Sequence, residues 1–189
     1  MSEMQKLLSQ SVAGLRELLP KVAVMHAELL RLGEMMMGSW QGRGKVLLAG
    51  NGGSAADAMH LAEELSIRYK KKRRGLAAIA LCDPTVLTCA ANDFGYERVF
   101  ARQVEALGNP GDVLIVFSTS GNSPSIVAAL DAAQAAGLRT AAFLGQTGGQ
   151  CKGKADIEFC IPSPLTASIQ ECHKILFHAL CEWIDTQVD

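Results

Sequence analysis

His60 and Glu64 stand four residues apart in the stretch AGNGGSAADAMHLAEEL, residues 49–65. On a helix, an imidazole and a carboxylate at that spacing project in the same direction and can share one divalent metal. The spacing is common, and an exposed polar pair uses it equally well. A second group of donors, Gln170, Glu171, His173 and His178, lies near the end of the chain in IQECHKILFH, residues 169–178. On a helical wheel Glu171 and His178 fall almost on one stripe, whereas Gln170 lies about 80° from His178. Spacing alone therefore favours Glu171 as the companion of His178. His26, among Met25 and Leu29, has no such company and reads as structural.

The same first stretch opens on glycines. Gly50, Gly52 and Ala55 satisfy the GxGxxA form of a dinucleotide fingerprint, with Asp83 as a candidate ribose-binding acid. The interval from Gly50 to Asp83 is well beyond the usual spacing of about 20 residues, which weighs against that reading. A phosphate cradle accounts for more residues. Ser54 and Asp57 read as a capping box that starts a helix at Ser54 and leaves backbone N–H groups beside Gly52 and Gly53. Glycine lets the backbone approach an anion, and the helix dipole favours negative charge there. The stretch STSGNS, residues 118–123, repeats the design. Ser118, Thr119, Ser120 and Ser123 offer hydroxyl donors, Gly121 permits a tight turn, and Ser123 precedes Pro124 at the start of another helix. Hydroxyl caps are common without any ligand. Two such loops at one end of a sheet, with neutral donors in place of Lys and Arg, point to a small phosphomonoester such as a sugar phosphate.

These residues need a scaffold that brings two loops and two helices together. Apolar runs of the kind that form buried parallel strands begin at Lys45 (KVLLAG) and recur at 76–81, 112–118, 139–145 and 156–161. Helical patterns lie between them near 54–69, 85–107 and 123–136, and an amphipathic helix from Thr166 closes the chain. On the first of these, Ala58, Leu61, Ala62 and Leu65 form the apolar stripe, with His60 and Glu64 on the opposite side. Residues 3–38 are helical, with Pro20 as the expected break between two helices. Alternation of strand and helix implies a parallel sheet covered on both faces, with ligands beyond the carboxyl ends of its strands.

The expected organisation is a single domain over 1–189, with N-terminal helices over 1–40 and an α/β core over 45–189. A net charge of −1 gives no field for nucleic acid or an anionic membrane. The basic run RYKKKRR, residues 68–74, reads as a solvated loop. The six cysteines show no CxxC spacing, so a disulfide framework or zinc knuckle is not expected. With no leader-like or membrane-length apolar window, the expectation is a soluble, cytoplasmic protein.

Together GNGGSAADAMHLAEEL, ANDFGY, GDVLIVFSTSGNS and IQECHKILFH resemble the sugar isomerase (SIS) domain family, and within it the bacterial sedoheptulose-7-phosphate isomerases, over nearly the whole chain. The resemblance implies a three-layer α/β sandwich with a five-stranded parallel, flavodoxin-like sheet, and a homotetramer with active sites at subunit interfaces. It implies conversion of sedoheptulose 7-phosphate to D-glycero-D-manno-heptose 7-phosphate, the first step toward the heptose of lipopolysaccharide. Carried over by position, substrate contacts fall on Asn51, Gly52, Gly53, Ser54, Glu64, Asn92, Asp93, Ser118, Thr119, Ser120, Ser123 and Gln170. The implied zinc ligands are His60, Glu64, Gln170 and His178, so the family uses Gln170 where the wheel favours Glu171. Imidazole and carboxylate donors without a thiolate suit a catalytic zinc. The expected chemistry is an enediol isomerisation with Glu64 as base and His178 as acid. Two departures bear on substrate preference: Ser168 where many members carry a basic residue, and Arg73-Arg74 where Arg-Pro is common. A second reading is a binding module without turnover, similar to the SIS protein that associates with a replication initiator. The presence of all four implied ligands favours chemistry over that reading.

Overall fold

The computed structural model describes all 189 residues, Met1 to Asp189. Two long helices, α1 (Glu3–Ala23) and α2 (His26–Gln41), precede five strands: β1 (Val46–Gly50), β2 (Ala78–Ala80), β3 (Val113–Ser118), β4 (Arg139–Gly145) and β5 (Ile157–Ile161). Between and after them run α3 (Gly53–Ser66), α4 (Pro84–Phe94), α5 (Ala101–Leu107), α6 (Pro124–Ala135) and α7 (Thr166–Gln187). All strand pairs are parallel, in the order β2-β1-β3-β4-β5. The expected five-stranded flavodoxin-like sheet is therefore present.

Alternation along the strands builds two cores. Val46 and Leu48 of β1, with Val113, Ile115 and Phe117 of β3, pack under α1, α2, α3 and α7. Leu47 and Ala49, with Leu114 and Val116, pack under α4, α5 and α6. Burial on both faces explains why the central strands read as unbroken apolar runs. In this strand order the chain reverses direction between β1 and β3, so the crevice at their carboxyl ends is the switch point at which such sheets bind ligands.

Two expectations fail for identifiable reasons, and a third holds except at one residue. Pro20 does not break α1; it sits within the helix near its end, and the chain turns only after Ala23. So close to the terminus the missing N–H removes one bond without blocking the remaining turn. The helical pattern over 85–107 is divided at Gly95, whose φ of +85° ends α4 before a short 3-10 turn and α5. The basic run is the expected solvated loop except at Arg73: Arg68, Lys70, Lys71, Lys72 and Arg74 are exposed. Asp185 of α7 accepts the amide N–H groups of Lys70 and Lys71 and pairs with Arg73, whose side chain is 0% exposed. All six cysteines are free, as expected.

Candidate active site

β1 delivers the chain to the crevice at Gly50. A Cβ there would lie 2.3 Å from the Ser54 carbonyl oxygen, so only glycine lets α3 start this close to the strand end. Gly52, at φ +56°, completes the turn. The helix begins at Gly53 rather than Ser54, and the expected capping box is not formed. Asp57 instead turns inward, fully buried, to pair with Lys174 of α7. Ser54 N–H and Ala55 N–H are taken by Asn51 and Gly52 carbonyls, while the Gly52 and Gly53 N–H groups have no protein acceptor.

The second loop leaves β3 at Ser118. Ser118 Oγ accepts the Gly121 N–H at 3.1 Å, and Ser120 Oγ accepts the Asn122 N–H at 3.1 Å. Each hydroxyl is thereby fixed as an acceptor toward its own loop and keeps its proton for an outside acceptor. Gly121, at φ +65°, passes so near Gly148 that a Cβ would strike its carbonyl. Ser123 is the N-cap of α6, ahead of Pro124, with no side-chain cap bond. Asn51 ties the two loops together. Its Nδ2 donates to Ser125 Oγ at 2.9 Å, and its Oδ1 accepts from Tyr96 at 2.7 Å. Asn92 and Asp93 occupy the last turn of α4, exposed and bonded to each other at 2.8 Å. Thr119 is half-buried between the two serines.

On α3, Ala58, Leu61, Ala62 and Leu65 are buried against the sheet as the wheel predicts. His60 and Glu64 do not face outward; α7 lies beside α3 on the same face, and they enter the seam between the two helices. His60 Nε2 lies 3.2 Å from Glu64 Oε1, and the His60 and His178 rings meet edge to face at 5.1 Å. One donor atom from each of His60, Glu64 and His178 falls within 4.8 Å of the others. The edge of a tetrahedral zinc site is about 3.4 Å for metal–ligand bonds near 2 Å, so both the spacing and the donor types fit zinc. Burial, and then the electrostatic influence of neighbouring His60, push the His178 imidazole below its ordinary range against the opposing pull of Glu64. A neutral imidazole is the ligating form.

Gln170 faces α3 at its start: a Cβ on Gly53 would come within 2.4 Å of Gln170 Nε2. Glu171, which the wheel favoured, is exposed. The contact between α3 and α7 follows the ridge Gln170, Lys174, His178, four residues at a step, instead of the straight seven-residue line the wheel assumes. His173 is fully buried beneath, its Nε2 donating to the Leu144 carbonyl at 3.0 Å. His26 stands apart at the start of α2, its Nδ1 3.4 Å from the Ala23 carbonyl.

The sequence profile of the SIS domain family matches residues 12–145. A phosphoheptose isomerase of Paramagnetospirillum magneticum is 48% identical over 180 residues, which cover 94% of this chain and 94% of that protein. The chain belongs to the phosphoheptose isomerase family. Among solved structures, the phosphoheptose isomerase of Francisella tularensis superposes with a TM-score of 0.92 at 33% identity, covering 98% of this chain and 100% of that one. That of Neisseria gonorrhoeae gives 0.88 at 36% identity, covering 97% and 99%. Against the phosphoheptose isomerase fold, residue-type reasoning overlooked Tyr96, Ser125, Tyr69 and the Asp57–Lys174 pair. Tyr96 ends the motif ANDFGY and Ser125 follows STSGNS, but nothing in their spacing marks them as partners of Asn51. The Asp57–Lys174 contact exists only because α3 and α7 are neighbours.

Proposed function

We propose that this protein interconverts sedoheptulose 7-phosphate and D-glycero-D-manno-heptose 7-phosphate, supplying heptose for lipopolysaccharide. The observation that carries this reading is the layout of α3. Its start, with Ser54 and the free N–H groups of Gly52 and Gly53, abuts the serine loop of β3. His60 and Glu64 lie about 10–16 Å further along its axis, at 1.5 Å per residue. That separation suits a seven-carbon sugar with its phosphate at one end and its carbonyl at the other.

In this reading Ser54, Ser118, Ser120 and Ser123, with the N–H groups of Gly52 and Gly53, hold the phosphate. Asn51 keeps the two loops in register, and Thr119, Asn92, Asp93 and Gln170 contact the sugar. His60, Glu64 and His178 would hold zinc, which when bound supplies Lewis-acid polarisation of the carbonyl; Gln170, which the family pattern adds to the set, has its amide beside Gly53 at the start of α3 and would reach the metal only by turning along the seam. Glu64 removes the proton from C1 and returns it to C2 through an enediol, while His178 moves the hydroxyl proton between O1 and O2. The protein is proposed to act as a homotetramer with sites at subunit interfaces. In support, Met4, Leu7, Leu8 and Val12 of α1 are exposed apolar side chains, 72%, 53%, 63% and 47% exposed respectively. An active monomer in light scattering would refute that assembly. A single domain acting in the cytoplasm is part of the proposal; separately, no helix is long and apolar enough to cross a membrane. The function is tested by incubating purified protein with sedoheptulose 7-phosphate and resolving the products. Formation of the aldose phosphate is expected, and its absence with zinc supplied would overturn the reading.

A further inference from the structure

The basic segment Arg68–Arg74 lies against the ligand-bearing ends of α3 and α7. Its hub is Asp185, 5% exposed, in the last turns of α7. Asp185 Oδ2 accepts the N–H groups of Lys70 and Lys71, each at 2.8 Å, and Oδ1 accepts Arg73 Nε at 2.7 Å. The Arg73 fork then reaches the end of α3. Nη2 donates to the carbonyl of Glu64 at 2.8 Å, and Nη1 donates to those of Leu65 and Arg74, each at 3.0 Å. Carbonyls in the last turn of a helix lack intrahelical donors, so the guanidinium closes α3 at the residue whose side chain enters the donor cluster. The amide anchors on Asp185 also place Tyr69, whose ring stacks on His178 at 5.7 Å and 20°.

We propose that this segment is a strap that fixes the donor spacing across the α3–α7 seam, with Tyr69 and Arg73 as positioning residues for His178 and Glu64. The inference rests on the metal-assisted reading given above. Where the donors meet, Asp57, His60 and Glu64 face Lys174 and His178 above an apolar layer that includes Phe177, whose ring meets that of His60 edge to face at 5.3 Å. The strap touches both helices at the donor-bearing residues: a backbone hydrogen bond on Glu64 and an aromatic wall on His178. Only a planar fork makes this contact. Arg73 bonds one carboxylate and three carbonyls at once, which a lysine ammonium on a flexible stem does not reproduce.

The test is a Co²⁺ titration of the chelator-stripped full chain, read by the visible absorption of the bound ion, with Zn²⁺ competition. Wild type is compared with Tyr69→Leu, Arg73→Lys and a control, Asp112→Asn. Asp112 pairs with Lys45 at the amino end of β3, and its side-chain hydrogen bonds go to Lys45 and Asn109, none to α3, α7 or residues 68–74. Tyr69→Leu leaves no charge buried, so it stays folded even if Arg73→Lys does not. Loss of outer partners of metal ligands typically costs about ten- to a hundredfold in affinity, and that loss with an altered Co²⁺ spectrum is expected for both strap variants. The control should lose thermal stability with unchanged Co²⁺ affinity. Strap variants that bind Co²⁺ as wild type does, at a temperature where all are folded, would overturn the strap while leaving the metal reading intact. A wild-type protein that takes up neither Co²⁺ nor Zn²⁺ would remove the metal reading, and the strap with it.

Discussion

His173 makes the stability of this fold depend on pH in a calculable way. The ring is 0% exposed, Nε2 donates to the Leu144 carbonyl, and Nδ1 has no partner, so a second proton would enter with nothing to accept it. Burial is the main cause that pushes its pKa down to about 4. In the unfolded chain the group titrates near 6.5. As pH falls the unfolded state takes up the proton first, so stability is full above about pH 6.5 and drains away as pH falls toward 4. The gap of roughly 2.5 units corresponds to about 3.4 kcal/mol in total, of which about 2 kcal/mol is lost between pH 7 and pH 5. Asp112, Asp156 and Asp185 also titrate low, despite burial that acts the other way, because hydrogen bonds and cations hold them ionised. Their losses fall below this window. His178 acts within it and with the same sign, so wild type must be compared with His173→Phe. Phenylalanine keeps a ring among Phe117 and Phe143, at 6.0 and 5.7 Å, and leaves the Leu144 carbonyl without its donor, at a pH-independent cost of about 1–3 kcal/mol. Urea unfolding at fixed protein concentration with chelator should show wild type losing about 2 kcal/mol more than the variant between pH 7 and pH 5. Equal losses in the two proteins would refute the buried neutral imidazole.

The site makes further demands. Ser120→Ala should weaken phosphosugar binding by about 1.5–3 kcal/mol in calorimetry through loss of one charge-assisted hydrogen bond, and unchanged affinity would remove Ser120 from the phosphate site. His178→Ala should abolish turnover while leaving phosphate-loop binding nearly intact, and Glu64→Gln should abolish turnover and weaken zinc; full activity in either, or in chelated protein without added zinc, would sink the proposed chemistry. Gly53→Ala should leave thermal stability equal or slightly raised, by up to about 1 kcal/mol, because Gly53 is helical. Its Cβ displaces the Gln170 amide, so metal affinity should fall, and an unchanged Zn²⁺ isotherm would exclude Gln170 as a ligand.

Sequence alone determined the elements whose signal is local. Unbroken apolar runs located β1, β3 and β4 because a strand buried on both faces has no polar side to show, while the edge strands β2 and β5 showed as apolar runs that are only partly buried. The serine and glycine types marked both loops for the same reason that they work there: they supply hydroxyl donors and tight backbone turns without bulk. The pair His60 and Glu64 was legible because four residues on a helix fix a direction. The tertiary structure decided everything that depends on which elements are neighbours. Ser54 and Asp57 satisfy a capping pattern, yet Asp57 is drawn inward by Lys174, 117 positions away in the chain. Gln170 displaces Glu171 from the seam because two packed helices meet along a four-residue ridge, and a wheel drawn for one helix contains no second axis. Arg73 looks like surface charge until Asp185, 112 residues later, gives its guanidinium a buried partner. A charge leaves water only where a specific opposite group and enough hydrogen-bond acceptors await it, and those are assembled by the fold, not by the neighbouring sequence.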